Sequence, residues 1–210
     1  MVTWHDGGIV LASRVHGEEY RIVSIFTKDH GKYTAMTYIN KTSKYINFSN
    51  VQVTYNSKGG NSMGFWKLVT EDVTWAVTSK SGNHMFVCQS ICWILNRLLP
   101  QGAAHPKLFD FTLYISKNLE KFSSDEIILT YAYFEYILLD NLGFGINLTH
   151  IPRFDECTDL QKFISSEQFR SEARHLLFLS EEIFEKHLVD IKNTYRSFVI
   201  KQLEHLLVQN

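Results

Sequence analysis

The spacing of apolar positions changes character once along the chain. Up to about residue 75, short apolar runs alternate with turn residues, whereas beyond Gly82 the apolar positions recur every three or four residues. The first part predicts strands over residues 4–15, 20–27, 32–39, 50–55 and 63–69, with the first broken by Gly7 and Gly8. Asp29-His30-Gly31 supplies turn chemistry, and residues 57–61 form a hairpin loop. Trp75-Ala76-Val77 reads either as a further strand or as a linker. Five short, closely spaced strands suit a small Greek-key barrel of the OB type better than a helix-linked parallel sheet.

The helical signals begin with Phe86, Cys88, Ile91, Cys92, Leu95 and Leu98, closed by Pro100. Pro106 opens a second helix carrying Leu108, Phe109, Leu113, Ile115 and Leu119. Ser123 and Glu126 have capping-box spacing ahead of a helix over 127–141 that is apolar on most sides, with Gly143 as its C-terminal cap. Ser165, with Gln168 three residues on, caps an amphipathic run over 169–188 that is long enough to contain a break. A last helix over 195–208 turns Phe198, Val199, Leu203, Leu206 and Leu207 inward. The expected class is α+β: an OB-fold-like β-barrel over residues 1–80, then an all-helical domain over residues 81–210.

Composition sharpens this outline. With 210 residues, 45% hydrophobic and 20% charged, the chain can bury a substantial core. The overall charge of −1 hides an asymmetry. Residues 1–80 carry nine Lys and Arg against six Asp and Glu, a net of +3, and residues 81–210 carry twelve against sixteen, a net of −4. The N-terminal part is thus the side suited to phosphate. Trp4, His5 and Asp6 interrupt any secretory start, three cysteines cannot all pair, and the longest nearly uncharged run is too short to span a bilayer. A cytoplasmic protein is expected.

Cys88 and Cys92 share a helix face, but their neighbours Phe86, Ile91, Trp93 and Leu95 favour burial over metal or redox chemistry. His175 and His187 lie among glutamates on what reads as a solvated face, and His30 beside Gly31 reads as a turn residue. No Gly-rich phosphate loop, G-x-S-x-G elbow, H-E-x-x-H or paired CxxC occurs, so no enzyme class is indicated. What remains is a basic and aromatic constellation of the kind that holds nucleic acid, with cations on the backbone and aromatic faces under bases. Arg14, Arg21, Lys28, Lys32, Lys41 and Lys44 supply charge, and Tyr38 and Tyr45, with Tyr33 and Phe48 nearby, supply rings. For any one tyrosine, core packing competes with stacking. The helical part crowds Phe109, Phe111, Tyr114, Tyr131, Tyr133, Phe134 and Tyr136 onto two helices, most of them expected in a core.

Gly8-Ile9-Val10-Leu11-x-x-Arg14-x-x-Gly17-Glu18, leading to Phe26-Thr27-x-x-His30-Gly31-Lys32, resembles the N-terminal signature of the bacterial RecO family. Leu98-Leu99-Pro100-x-Gly102, Phe134-Glu135-x-x-Leu138-Leu139-x-x-Leu142-Gly143-Phe144-Gly145 and Phe184-Glu185-x-His187-Leu188 are similar to later blocks of that family, in order. The resemblance implies an OB-fold, a helical domain and no enzymatic activity. It implies a recombination mediator that binds single- and double-stranded DNA, anneals strands and loads RecA with RecR and single-stranded-DNA-binding protein. Lys107, Lys117 and Lys121 would meet the acidic tail of the latter. Two departures stand out. The basic run that often follows the third strand in this family is reduced here to Lys41 and Lys44. The zinc-binding insertion is absent or degenerate near residues 150–165, which offer Cys157, with His150 seven residues before it and no second pair, so no metal or other cofactor is expected. The alternative is a protein–protein adaptor of the same pathway with little DNA affinity of its own.

Overall fold

The computed structural model describes residues 1–39, 46–59, 63–72, 82–144, 151–157, 159–187 and 194–208. Trp75-Ala76-Val77 and the end of the loop at 57–61 lie outside these residues. Five strands, β1 (Val2–His16), β2 (Tyr20–Thr27), β3 (Gly31–Tyr38), β4 (Asn50–Ser57) and β5 (Phe65–Asp72), close a barrel in the order β1-β2-β3-β5-β4. Pairing is antiparallel except for the parallel bridge between Met36 and Phe65 that joins β3 to β5. This is the OB-fold-like barrel that the strand spacing predicts.

The glycine pair does not break the first strand. Gly7 and Gly8 stay in register with Gln52 and Val51 of β4, and the irregularity falls later, between Val10 and Ala12. A β-carbon on Gly8 would lie 2.5 Å from Ile25 Cγ2, so this glycine admits a neighbouring side chain rather than ending its own strand. Val10, Val23, Ile25, Ala35, Val51, Val53, Tyr55 and Trp66 fill the barrel, with the Trp66 indole N–H donating to the Val23 carbonyl at 3.0 Å. Trp4 lies stacked 3.9 Å from the His30 ring and packs against Tyr33, Tyr55 and Trp66.

Helices α1 (Gly82–Leu98) and α2 (Pro106–Asn118) follow. Two compact units emerge: Met1–Thr78 with Ile91–Ser116, and Ser79–Ser90 with Lys117–Asn210. In the first, the outward side chains Ile9, Leu11, Ile22 and Phe26 are buried as fully as the inward ones. Phe109 meets Phe26 edge-on at 5.4 Å, and the Cys92 thiol reaches the Val10 carbonyl at 3.6 Å. Cover on the outside explains why β2 reads as a continuous apolar run rather than an alternation. The chain after α1 then docks on the start of β3, where Gly102 N–H donates to the Lys32 carbonyl at 3.1 Å and Gln101 bridges to Lys32.

In the second unit α3 (Ser124–Asn141) is buried on most sides, as its composition predicts. Its capping box is present, and Gly143 ends it at φ +84°. Helices α4 (Leu160–Ile164), α5 (Glu167–His187) and α6 (Thr194–Val208) complete the unit. α5 is one unbroken helix although its run is long enough to contain a break, and Ser166 rather than Ser165 accepts from Phe169 N–H at its start. The Ser165 hydroxyl instead donates to Glu126, which also accepts from Gln161 and the Ser123 N–H. Glu135, the acidic residue within the apolar run of α3, is 3% exposed and forms a two-pronged pair with Arg196 of α6 at 2.9 and 3.2 Å. The Arg196 guanidinium also lies 4.6 Å from the centre of the Phe184 ring.

Three outcomes follow from this packing. Gly31 and Gly17 both have positive φ, but a β-carbon on Gly31 would fall 2.0 Å from the Ala103 carbonyl oxygen while one on Gly17 would meet nothing within 4 Å. In denaturant melts Gly17→Ala should therefore cost only the left-handed backbone term, about 1–2 kcal/mol, and Gly31→Ala distinctly more; equal losses would refute the close approach. Arg196→Met should destabilise by about 3–5 kcal/mol, because it strands a buried carboxylate, and Glu135→Gln in the same chain should restore part of the loss. Burial opposes the charge on Glu126, but hydrogen bonds from Ser123, Gln161 and Ser165 outweigh it and hold the carboxyl below the usual range. A depressed folded pKa means that this stabilisation is complete above the ordinary glutamate value of about 4.3. It is lost as pH falls through the lower folded value. Stability curves of Glu126→Gln and the parent should converge in that acid window, and a constant offset would exclude this assignment.

Candidate nucleic-acid interface

The inward residues of β1, β2 and β3 fix what their neighbours present outward. Since Val23, Ile25 and Ala35 point in, Tyr20, Ile22 and Ser24 of β2 and Tyr38, Met36 and Thr34 of β3 point out. Tyr20 pairs directly with Tyr38 and their ring centres lie 5.1 Å apart. Phe65, next to the inward Trp66, brings a third ring to within 4.9 Å of Tyr38 and 6.3 Å of Tyr20. Tyr38 is 59% exposed, so this cluster is a surface feature and not core. The Tyr20 hydroxyl hydrogen-bonds to the Tyr38 oxygen, and holding that proton keeps the Tyr20 phenol above its usual pKa. Arg14 lies outward on β1 opposite Ile22, and Lys67 follows Phe65 outward on β5; both are exposed. Sequence reasoning missed Tyr20, Phe65 and Lys67, whose proximity to Tyr38 comes from cross-strand register and barrel closure.

The other basic residues are distributed differently. Arg21 has inward parity and donates from Nε to the Ser13 hydroxyl at 2.8 Å. Lys28 pairs with Asp110 at 2.8 Å, and that carboxylate raises its pKa. Lys32 donates to the Asn96 carbonyl in the last turn of α1 at 2.6 Å, where a cation suits the helix dipole. Its half-buried ammonium is lowered in pKa by desolvation. Lys32 and Tyr38 are six residues apart on one strand, about 20 Å at the usual rise. The structure therefore gathers Arg14 and Tyr38 at one end of the β2–β3 hairpin and leaves Lys28 and Lys32 at the other. Lys41, Lys44 and Tyr45 lie outside the described residues. Tyr33 packs inside against Trp4 and Tyr55, and Phe48 is fully buried, so neither offers a face for stacking.

Lys107 and Lys117 are exposed on α2, ten residues and about 15 Å apart along its axis, and Lys121 is exposed in the 3₁₀ turn Leu119–Lys121 that follows. The aromatics of this region are mostly interior: Phe109, Phe111, Tyr131, Tyr133 and Phe134 are buried, and Tyr114 and Tyr136 are half-buried. Cys88 and Cys92 are buried and in no disulfide, and desolvation drives the Cys92 thiol far above its usual pKa. Cys157 is a half-buried free thiol, also raised by burial, while His150 lies outside the described residues. His30 takes Asp6 as its partner at 3.0 Å, and the Asp6 carboxylate also accepts from the Asp29 and His30 N–H groups, which fastens the β2–β3 turn to β1. His175 is exposed; the side chain of His187 is not described. Among the described residues, no group of three or more His, Cys, Asp and Glu has metal-site geometry, and no helix is long and apolar enough to cross a membrane.

Comparison with known proteins gives this arrangement a lineage. Residues 1–70 match the family model described as recombination protein O N terminal, and residues 80–186 match recombination protein O C terminal. The DNA repair protein RecO of Anaplasma phagocytophilum is 26% identical over 214 residues, covering 97% of this chain and 84% of that protein. RecO of Chelativorans sp. is 28% identical over 149 residues, and RecO of a Wolbachia from Drosophila simulans is 28% identical over 152. These alignments cover 69% and 70% of this chain but only 59% and 61% of the relatives. With both the barrel and the helical part matched in order, the chain belongs to the RecO (recombination protein O) family.

Proposed function

We propose that this protein is a non-enzymatic mediator of homologous recombination that binds DNA through the outer face of its barrel. Membership of the RecO family carries a role in DNA repair and recombination. The finer reading is that the protein binds single- and double-stranded DNA, anneals complementary strands and helps RecA onto them together with RecR and single-stranded-DNA-binding protein. Such a protein works by exchanging binding energies and needs no cofactor. The observation that carries the reading is the exposed cluster of Tyr20, Tyr38 and Phe65 beside Arg14. Aromatic faces next to cations are what a single strand requires, each stacked base contributing about 1–3 kcal/mol. Lys41 and Lys44 follow Tyr38 closely in sequence and are the further cations of this reading. In this reading Arg21, Lys28 and Lys32 serve the fold. Lys107, Lys117 and Lys121 receive the acidic tail of single-stranded-DNA-binding protein. The spacing of candidate ligands around Cys157 argues against a zinc ribbon. A second reading, an adaptor of the same pathway with little DNA affinity, gains from the engagement of Lys28 and Lys32 in contacts within the protein.

Fluorescence anisotropy of a labelled single strand, titrated at several salt concentrations, separates the two. A mediator should bind at about 50 mM salt and weaken steeply as salt rises. Lys41→Glu/Lys44→Glu should flatten the slope of log K against log salt by about 0.7 per lost phosphate contact and abolish annealing. Tyr38→Ala should weaken binding by about 1–3 kcal/mol with the slope preserved. No binding at low salt, with capture of RecR intact, would establish the adaptor instead.

A further inference from the structure

We propose that the barrel holds one unstacked nucleobase in a pocket on its outer face, beside the aromatic cluster; the inference rests on the DNA-binding reading above. A cavity of about 260 Å³ opens between β1–β3 and the end of α1, with Arg14, Ser24, Thr34 and Asn96 among its polar lining and Ala12 and Ile22 as apolar wall. Ser24 and Thr34 face each other across the β2–β3 pair with their hydroxyl oxygens 2.7 Å apart. Whichever donates, the pair retains one hydroxyl hydrogen and free lone pairs, so it offers both a donor and an acceptor. The Asn96 carboxamide offers both as well, and has no hydrogen-bond partner among the described residues.

A mixed set of donors and acceptors around an apolar wall fits the edge and faces of a base. A phosphate would require donors alone. Ile22 follows Tyr20 outward by two residues, so the pocket begins about 7 Å along the same strand from the stacking cluster. Arg14 belongs to the lining and is exposed, so its guanidinium can meet the phosphate of the nucleotide whose base enters. The pocket has no aromatic residue in its lining, whereas the neighbouring cluster is wholly aromatic. A base in the pocket leaves its stack without gaining another; a base on Tyr38 exchanges one stack for another. A paired base cannot enter, so the pocket favours single strands over duplex.

The test uses the full chain and short oligothymidylates carrying 2-aminopurine at one position in turn, with emission and anisotropy read together. Emission of 2-aminopurine rises when the base leaves a stack and falls when it stacks on an aromatic ring. The expected result is a rise of several-fold for at least one position. The rise should be lost in Ala12→Leu/Thr34→Leu, which fills the pocket, while the salt slope of binding stays unchanged. Should the filled variant not fold, Thr34→Val deletes a hydroxyl at constant shape. It should weaken binding of oligothymidylate two- to ten-fold and leave binding of an abasic backbone of the same length unaltered. Emission that falls at every position, a rise that survives filling, or an equal effect of Thr34→Val on both oligomers overturns the pocket while the DNA-binding reading stands. No change of anisotropy at low salt overturns both.

Discussion

Ile9, Leu11, Ile22 and Phe26 project from the outside of the barrel and are nonetheless buried, and much of the first unit follows from covering them. Fully burying such a side chain contributes about 1.5–3 kcal/mol, so four together reach roughly 6–12 kcal/mol, comparable to the whole stability of an ordinary domain. That requirement ties residues 91–116 to the barrel as one unit. It also explains the backbone at Gly31, where the chain after α1 crosses so closely that no β-carbon fits. Lys32 belongs to the same arrangement, with its ammonium on the last turn of α1 and its carbonyl on Gly102.

Cover on one part of the outer face leaves another part open. Helical residues protect the outside of β1 and β2, while the Tyr20 and Tyr38 end remains exposed. Basic residues that look equivalent along the sequence therefore divide by position. Those near the covered end are engaged by Asp110 and the Asn96 carbonyl, and Arg14, near the open end, faces solvent. The pocket lies at the boundary, with Asn96 of α1 on one side and barrel strands on the other.

The helical unit is organised around a different constraint. α3 is apolar on most sides, so its single buried acid must find a cation within the protein. Arg196, more than sixty residues away in sequence, meets it with two hydrogen bonds. Such a pair contributes little net stability relative to an apolar substitute, yet breaking it is costly, which makes it a device for specifying how α6 docks on α3. The capping box at Ser123 and Glu126 acts locally and is also joined to α4 and the residue that ends it, through Gln161 and Ser165.

By itself the sequence determined what local physics controls. The change of apolar period near residue 82, Pro106 at a helix start, the Ser123–Glu126 box and Gly143 beyond a helix end are short-range signals, and each lies in the structure where its chemistry predicts. The barrel was legible because its strands are short and closely spaced, and the family because its blocks occur in order. The tertiary structure alone decided which side chains share a surface. Tyr20, Tyr38 and Phe65 meet through register and barrel closure, Lys28 and Lys32 are drawn away by partners on helices, and Gly8 keeps its strand intact because Ile25 needs the space. Local signals depend on neighbours within a turn or a hairpin, which a chain carries in its order. A binding surface depends on contacts between distant segments, and those exist only once the core has fixed which face of each strand is covered.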